Sequence, residues 1–67
     1  MDPKLIELMN IYLDSCKSGD IFGALDFIEF VKDRFPKRAP ARSQVCRIVA
    51  ATGRCNFTEY SGYYEVI

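Results

Sequence analysis

Histidine and tryptophan are missing from this 67-residue chain, and its three cysteines form no CxxC pair. Without histidine, general acid–base chemistry at neutral pH would fall to a carboxylate or tyrosine in a cleft, and a chain this short has little volume for one. Neither a glycine-rich phosphate loop, a paired-carboxylate motif nor a nucleophile elbow occurs. We therefore expect no enzyme, no catalytic residue and no cofactor. Three cysteines without histidine also leave a zinc site short of a fourth good ligand, so no metal is expected. The odd number (Cys16, Cys46, Cys55) speaks against a disulfide framework and for a reduced, cytoplasmic (intracellular) setting; whether Cys46 and Cys55 pair stays open. No run approaches the roughly 20 apolar residues of a membrane span. Met1-Asp-Pro-Lys4 does not read as a secretory signal, so the Asn56-Phe57-Thr58 glycosylation sequon carries little weight. Internal repeats and low-complexity tracts are absent as well.

One further absence is local. From Arg34 to Cys55 there is no aspartate or glutamate, while Arg34, Lys37, Arg38, Arg42, Arg47 and Arg54 all fall there. Residues 1–33 hold three lysines against seven acids, and residues 56–67 add only Glu59 and Glu65, so the zero net charge divides into −4, +6 and −2 in chain order. Charge asymmetry of this kind bears on partners more than on fold. Phosphate contacts need cations free of carboxylate neighbours, and the basic block meets that condition within the sequence. Pairing of Arg34, Lys37 and Arg38 with Asp26, Glu29 and Asp33, or a solvated rim, is the plainer alternative.

An apolar fraction of 49% with nine aromatic residues indicates one folded domain over residues 1–67, near the lower size limit for a self-sufficient core. Asp2-Pro3 starts a helix, because proline at the first helical position gives up an amide that had no partner. Leu5, Leu8, Met9, Tyr12, Leu13 and Cys16 form its apolar stripe, and Lys17-Ser18-Gly19 ends it. Asp20 is the expected N-cap of a second helix over Ile21–Phe35, with Ile21, Ala24, Leu25, Ile28, Val31 and Phe35 inward. Phe27 and Phe30 then lie on the charged side, where the C-terminal segment or a second subunit of a homodimer must cover them. Pro36 stops this helix, and a basic connector leads to a third, beginning near Pro40 or Ser43, with Ala41, Val45, Ile48, Val49 and Thr52 inward and Gly53 just past its end. Two β-rich segments flank Ser61-Gly62. With those two residues as the turn, Phe57 faces Val66 and Glu59 faces Tyr64. The expected fold is α+β, three helices and a C-terminal β-hairpin.

This order, with Arg42-Ser-Gln-Val-Cys-Arg-Ile-Val-x-x-x-Gly53 reading like a recognition helix, resembles the winged helix-turn-helix domain over residues 20–67. The resemblance implies that the third helix enters the major groove of duplex DNA and that the hairpin is the wing. Arg42, Ser43, Gln44 and Arg47 would read bases, since glutamine and arginine have the bidentate geometry for adenine and guanine edges. Lys37, Arg38 and Arg54 would hold phosphates. Tyr60, Tyr63 and Tyr64 could stack on bases or serve as cross-strand pairs. The expected function is regulatory nucleic-acid binding. The alternative is a small inhibitor or adaptor of the kind phages encode, docking its basic face on an acidic surface of a larger enzyme. Neither reading involves a membrane.

Overall fold

The computed structural model describes residues 2–67. Its elements run α1 (Pro3–Asp14), β1 (Ile21–Gly23), α2 (Ala24–Arg34), a single 3-10 turn (Pro36–Arg38), α3 (Arg42–Thr52), β2 (Cys55–Phe57) and β3 (Tyr63–Val66). The three strands form an antiparallel sheet in the order β1-β3-β2. The α+β expectation holds, with one strand more than the sequence suggests.

Helix α1 starts as expected: the Asp2 carboxylate accepts the Lys4 amide at 2.9 Å, with Pro3 at the first helical position. Leu5, Leu8, Met9 and Leu13 are buried, and Tyr12 and Cys16 pack beside them. The helix closes at Asp14, earlier than Lys17.

The expected second helix divides. Residues 21–23 extend and pair with β3 through Ile21↔Glu65, Phe22↔Tyr64 and Gly23↔Tyr63. Asp20 is therefore not a helix cap. Its carboxylate accepts the Lys17 amide at 2.8 Å, closing a turn, and its carbonyl accepts the Val66 amide at 2.8 Å. Capping of α2 falls to Asp26, whose carboxylate accepts the Gly23 amide at 2.8 Å.

The buried face of α2 also differs from the expected one. Ala24, Phe27 and Val31 are buried and Ile28 and Phe30 are half-buried, whereas Ile21, Leu25 and Phe35 are exposed. Within the described chain the cover over Phe27 and Phe30 comes from α1, not from the C-terminal hairpin. It is Tyr12 of α1, with ring centroids 5.9 Å and 5.2 Å away, edge to face in both cases.

Helix α3 buries Val45, Ile48 and Val49 as expected, half-buries Thr52 and leaves Ala41 exposed. Gly53 ends it in the left-handed region at φ 64°, where a side chain would be strained. The hairpin register is Cys55↔Val66, Asn56↔Glu65 and Phe57↔Tyr64, with residues 58–62 as the connection. This is slid by two residues from the Phe57–Val66 pairing expected of a two-residue turn. A shift of two preserves the faces: Phe22, Tyr64 and Val66 point into the core, and Ile21 and Tyr63 point out.

Candidate nucleic-acid interface

The outward side of α3 is set by its inward one. With Val45, Ile48 and Val49 held in the core, the helical period turns Arg42, Ser43, Cys46, Arg47 and Ala50 to solvent, and all five are exposed. No carboxylate stands among them, and the residues between the two arginines are small or polar. Such a surface lets a helix approach a partner closely while two long cationic side chains reach past it.

The first turn of α3 is fixed by Gln44, whose Oε1 accepts the Ala41 amide at 2.9 Å. The side-chain cap is therefore Gln44 and not Ser43, which leaves the Ser43 hydroxyl free to face solvent. Gln44 keeps its amide nitrogen and one lone pair of Oε1 for an outside partner. Pro40, buried just before the helix, anchors the chain there.

Between α3 and the hairpin lies an open cleft of about 540 Å³, lined by Arg42, Ser43, Cys46, Tyr60, Gly62 and Tyr64 among others. The Arg42 guanidinium lies against Gly62, where a Cβ would come within 3.2 Å of Nη2. Gly62 has φ 85° as well, so both the space and the backbone favour glycine there. Tyr64 sits at the cleft floor. Burial chiefly pushes its hydroxyl above the usual tyrosine value, the Cys46 thiol adds to this, and Arg42 opposes it.

The remaining cations fall into two groups. Lys37 is exposed in the 3-10 turn ahead of α3 and makes no ion pair among the described residues. Arg38 donates to Asp2 at 3.0 Å, and Arg54 reaches back to α1, meeting Asp14 at 2.9 Å and both Asn10 oxygens at 3.3 Å. Arg34 lies over the Phe30 ring, 3.9 Å from its centroid, and not beside Asp26, Glu29 or Asp33. The structure thus brings Arg42, Ser43 and Arg47 onto one face, keeps Lys37 unpaired, and occupies Arg38 and Arg54 with carboxylates of α1. Those two pairs join residues 36 and 40 positions apart, a separation that sequence order cannot show.

Of the tyrosines, Tyr64 is a core residue beside Phe22 and Phe57, while Tyr60 and Tyr63 are exposed. The loop holding Tyr60 was not legible as a site feature. It is shaped by the Thr58 hydroxyl, which donates toward the Tyr63 and Tyr60 carbonyls (3.0 and 3.1 Å) and accepts the Tyr60 amide at 3.2 Å. Cys46 is exposed on α3, and Cys16 and Cys55 are half-buried; all three are free thiols. Among the described residues no cluster of potential metal ligands occurs, and no helix is long and apolar enough to cross a membrane. No protein family, curated protein or solved structure compared with the chain matches it.

Proposed function

We propose that the chain is a small regulatory DNA-binding protein of winged helix-turn-helix type. The observation that carries this reading is the exposed side of α3, which has no carboxylate of its own, with Arg42 and Arg47 at its two edges, five positions and roughly 140° of helix rotation apart, and Ser43 and Cys46 between them. The element order α1-β1-α2-α3-β2-β3 and the strand order β1-β3-β2 support it, since a winged domain likewise sets its third helix beside a strand pair.

In this reading α3 enters the major groove by its N-terminal half. Arg42 and Arg47 address guanine edges or phosphates, Ser43 donates to a base or a phosphate, and Gln44 contributes its amide nitrogen. Lys37 holds a phosphate directly. Arg38 joins it by exchanging Asp2 for a phosphate oxygen, a modest exchange because exposed ion pairs contribute only about 0–1 kcal/mol. Arg54 remains with α1 and contributes little.

One feature favours the second reading, an inhibitor or adaptor docking its basic face on an acidic protein. The loop that would be the wing, residues 58–62, carries Glu59 and no cation, so it adds no phosphate contact.

Binding of the chain to duplex DNA at two salt concentrations tests the proposal. Affinity should fall steeply with salt, and Lys37→Ala should lower the salt slope by about one. Arg47→Ala should cost about 1–3 kcal/mol on a preferred site and little on random sequence. Absence of any complex at low salt would remove the DNA reading and leave the protein partner.

A further inference from the structure

The sheet has an outer face, away from the helices, that nothing in the described chain covers. Ile21 and Glu65 pair across β1 and β3, Glu65 continues to Asn56 on β2, and Tyr63 pairs with Gly23. Of these, Ile21, Tyr63 and Glu65, together with Phe57, Glu59 and Tyr60, border an open cleft of about 560 Å³. Ile21, Tyr60 and Tyr63 are 64%, 67% and 51% exposed, more than isolated edge residues of so small a fold require.

The Tyr63 ring and the backbone of the Tyr60 loop are positioned before any partner arrives. Gly23 has no side chain, and the Tyr63 ring occupies that space: a Cβ on Gly23 would stand 3.2 Å from Tyr63 Cε1. The backbone that carries Tyr60 is set by the Thr58 hydroxyl, which accepts the Tyr60 amide and donates toward the Tyr60 and Tyr63 carbonyls. A loop backbone and a ring placed in this way lower the ordering cost of binding.

Charge narrows the occupant. Glu59 and Glu65 are the only charged residues lining the cleft, and neither takes part in an ion pair among the described residues. The two cation–aromatic contacts of the described chain lie elsewhere, at Phe30 and Phe35. Nucleic acid is repelled by the carboxylates. A second copy docked face to face would set Glu59 and Glu65 against their own kind. A cation with an apolar shank satisfies both parts of the cleft, lying over a tyrosine face and ending at a carboxylate.

We propose that the outer face of the sheet docks a protein segment presenting an arginine or lysine between apolar residues, its shank over Tyr60 and Tyr63 and its head at Glu65 or Glu59. This site shares Tyr60 and Tyr63 with the rim of the α3 cleft and is opposite to the α3 surface in charge.

The test is an amide and side-chain NMR titration of the full, isotopically labelled chain with the blocked tripeptide acetyl-Leu-Arg-Leu-amide and its neutral citrulline counterpart. The arginine peptide should shift resonances of Ile21, Tyr60, Tyr63 and Glu65, and it should bind about tenfold more tightly than the citrulline peptide, the loss expected for one charge-assisted contact. Glu65→Gln and Glu59→Gln together should remove that difference while leaving the spectrum folded. Tyr60→Ala should weaken both peptides without unfolding the chain, since Tyr60 lies in the loop and outside the core. Equal binding of the two peptides, shifts confined to other surfaces, no shifts at millimolar peptide, concentration-dependent shifts of these residues in the chain alone, or their perturbation by single-stranded oligothymidylate would each overturn the proposal.

Discussion

Phe27 has 0% of its surface exposed and stands among Tyr12, Phe30 and the rest of the core, while Leu25, two positions earlier, is 57% exposed. Truncating a buried phenylalanine removes its transfer energy and leaves a cavity, a cost of about 3–5 kcal/mol. A domain this small has roughly 3–5 kcal/mol to lose. Phe27→Ala should therefore lack a cooperative thermal transition, whereas Leu25→Ala should melt within a few degrees of the parent, as surface changes of about 0.5 kcal/mol do. Circular dichroism melts of the two variants check this. A stable Phe27→Ala would mean that the aromatic cluster does not hold α2 to α1. The sequence could not separate these residues, because Ile21, Leu25 and Ile28 make as plausible a helical stripe as Ala24, Phe27 and Val31. The choice between them is made by where the helix begins, and that is decided by strand pairing far along the chain.

At the scale of elements, β1 is the piece that local reasoning loses. Ile21-Phe22-Gly23 is too short to show alternation, and Asp20 before it is a good helix cap in isolation. Its partner is β3, some forty residues on, and the pairing is reinforced at both ends by Gly19 amide to Val66 carbonyl and Ala24 amide to Gly62 carbonyl, each 2.7 Å. Where signals are local, the sequence reads true: the Asp2-Pro3 start, the α1 stripe, the Val45–Ile48–Val49 face and the Gly53 stop all rest on neighbours within a turn or two. The exposed side of α3 was legible for the same reason. The roles of Arg38 and Arg54 were not, because their carboxylates come from α1. Arg54 ties the end of α3 to α1 through Asn10 and Asp14, so Arg54→Ala should cost about 1 kcal/mol of stability in denaturant unfolding and leave DNA affinity nearly unchanged. A large loss of DNA binding with unchanged stability would return Arg54 to the phosphate contacts.

For the molecule as a whole, the shifted ionisations all point the same way. Burial foremost raises the pKa of Cys16 and Cys55 above the ordinary 9.0 and those of Tyr12 and Tyr64 above the ordinary 10.0. In each case the folded state holds its proton more tightly than the unfolded chain. Their contribution to stability is thus complete below the ordinary thiol value and is lost as pH rises through the raised thiol and then tyrosine values. The denaturation midpoint should fall as pH climbs above about 9. A midpoint that holds through that range would contradict the burial of these groups. Charge in the folded molecule is also sorted by surface, with unpaired cations on α3 and the turn before it, and carboxylates on the outer sheet face. In the proposed function α3, and not the sheet, meets DNA. Amide chemical-shift mapping of the labelled chain with a short duplex at low salt tests it most directly. The largest shifts should fall between Arg42 and Ala50, with Lys37 beside them. Shifts confined to Ile21, Tyr63 and Glu65, or none at all, would contradict it.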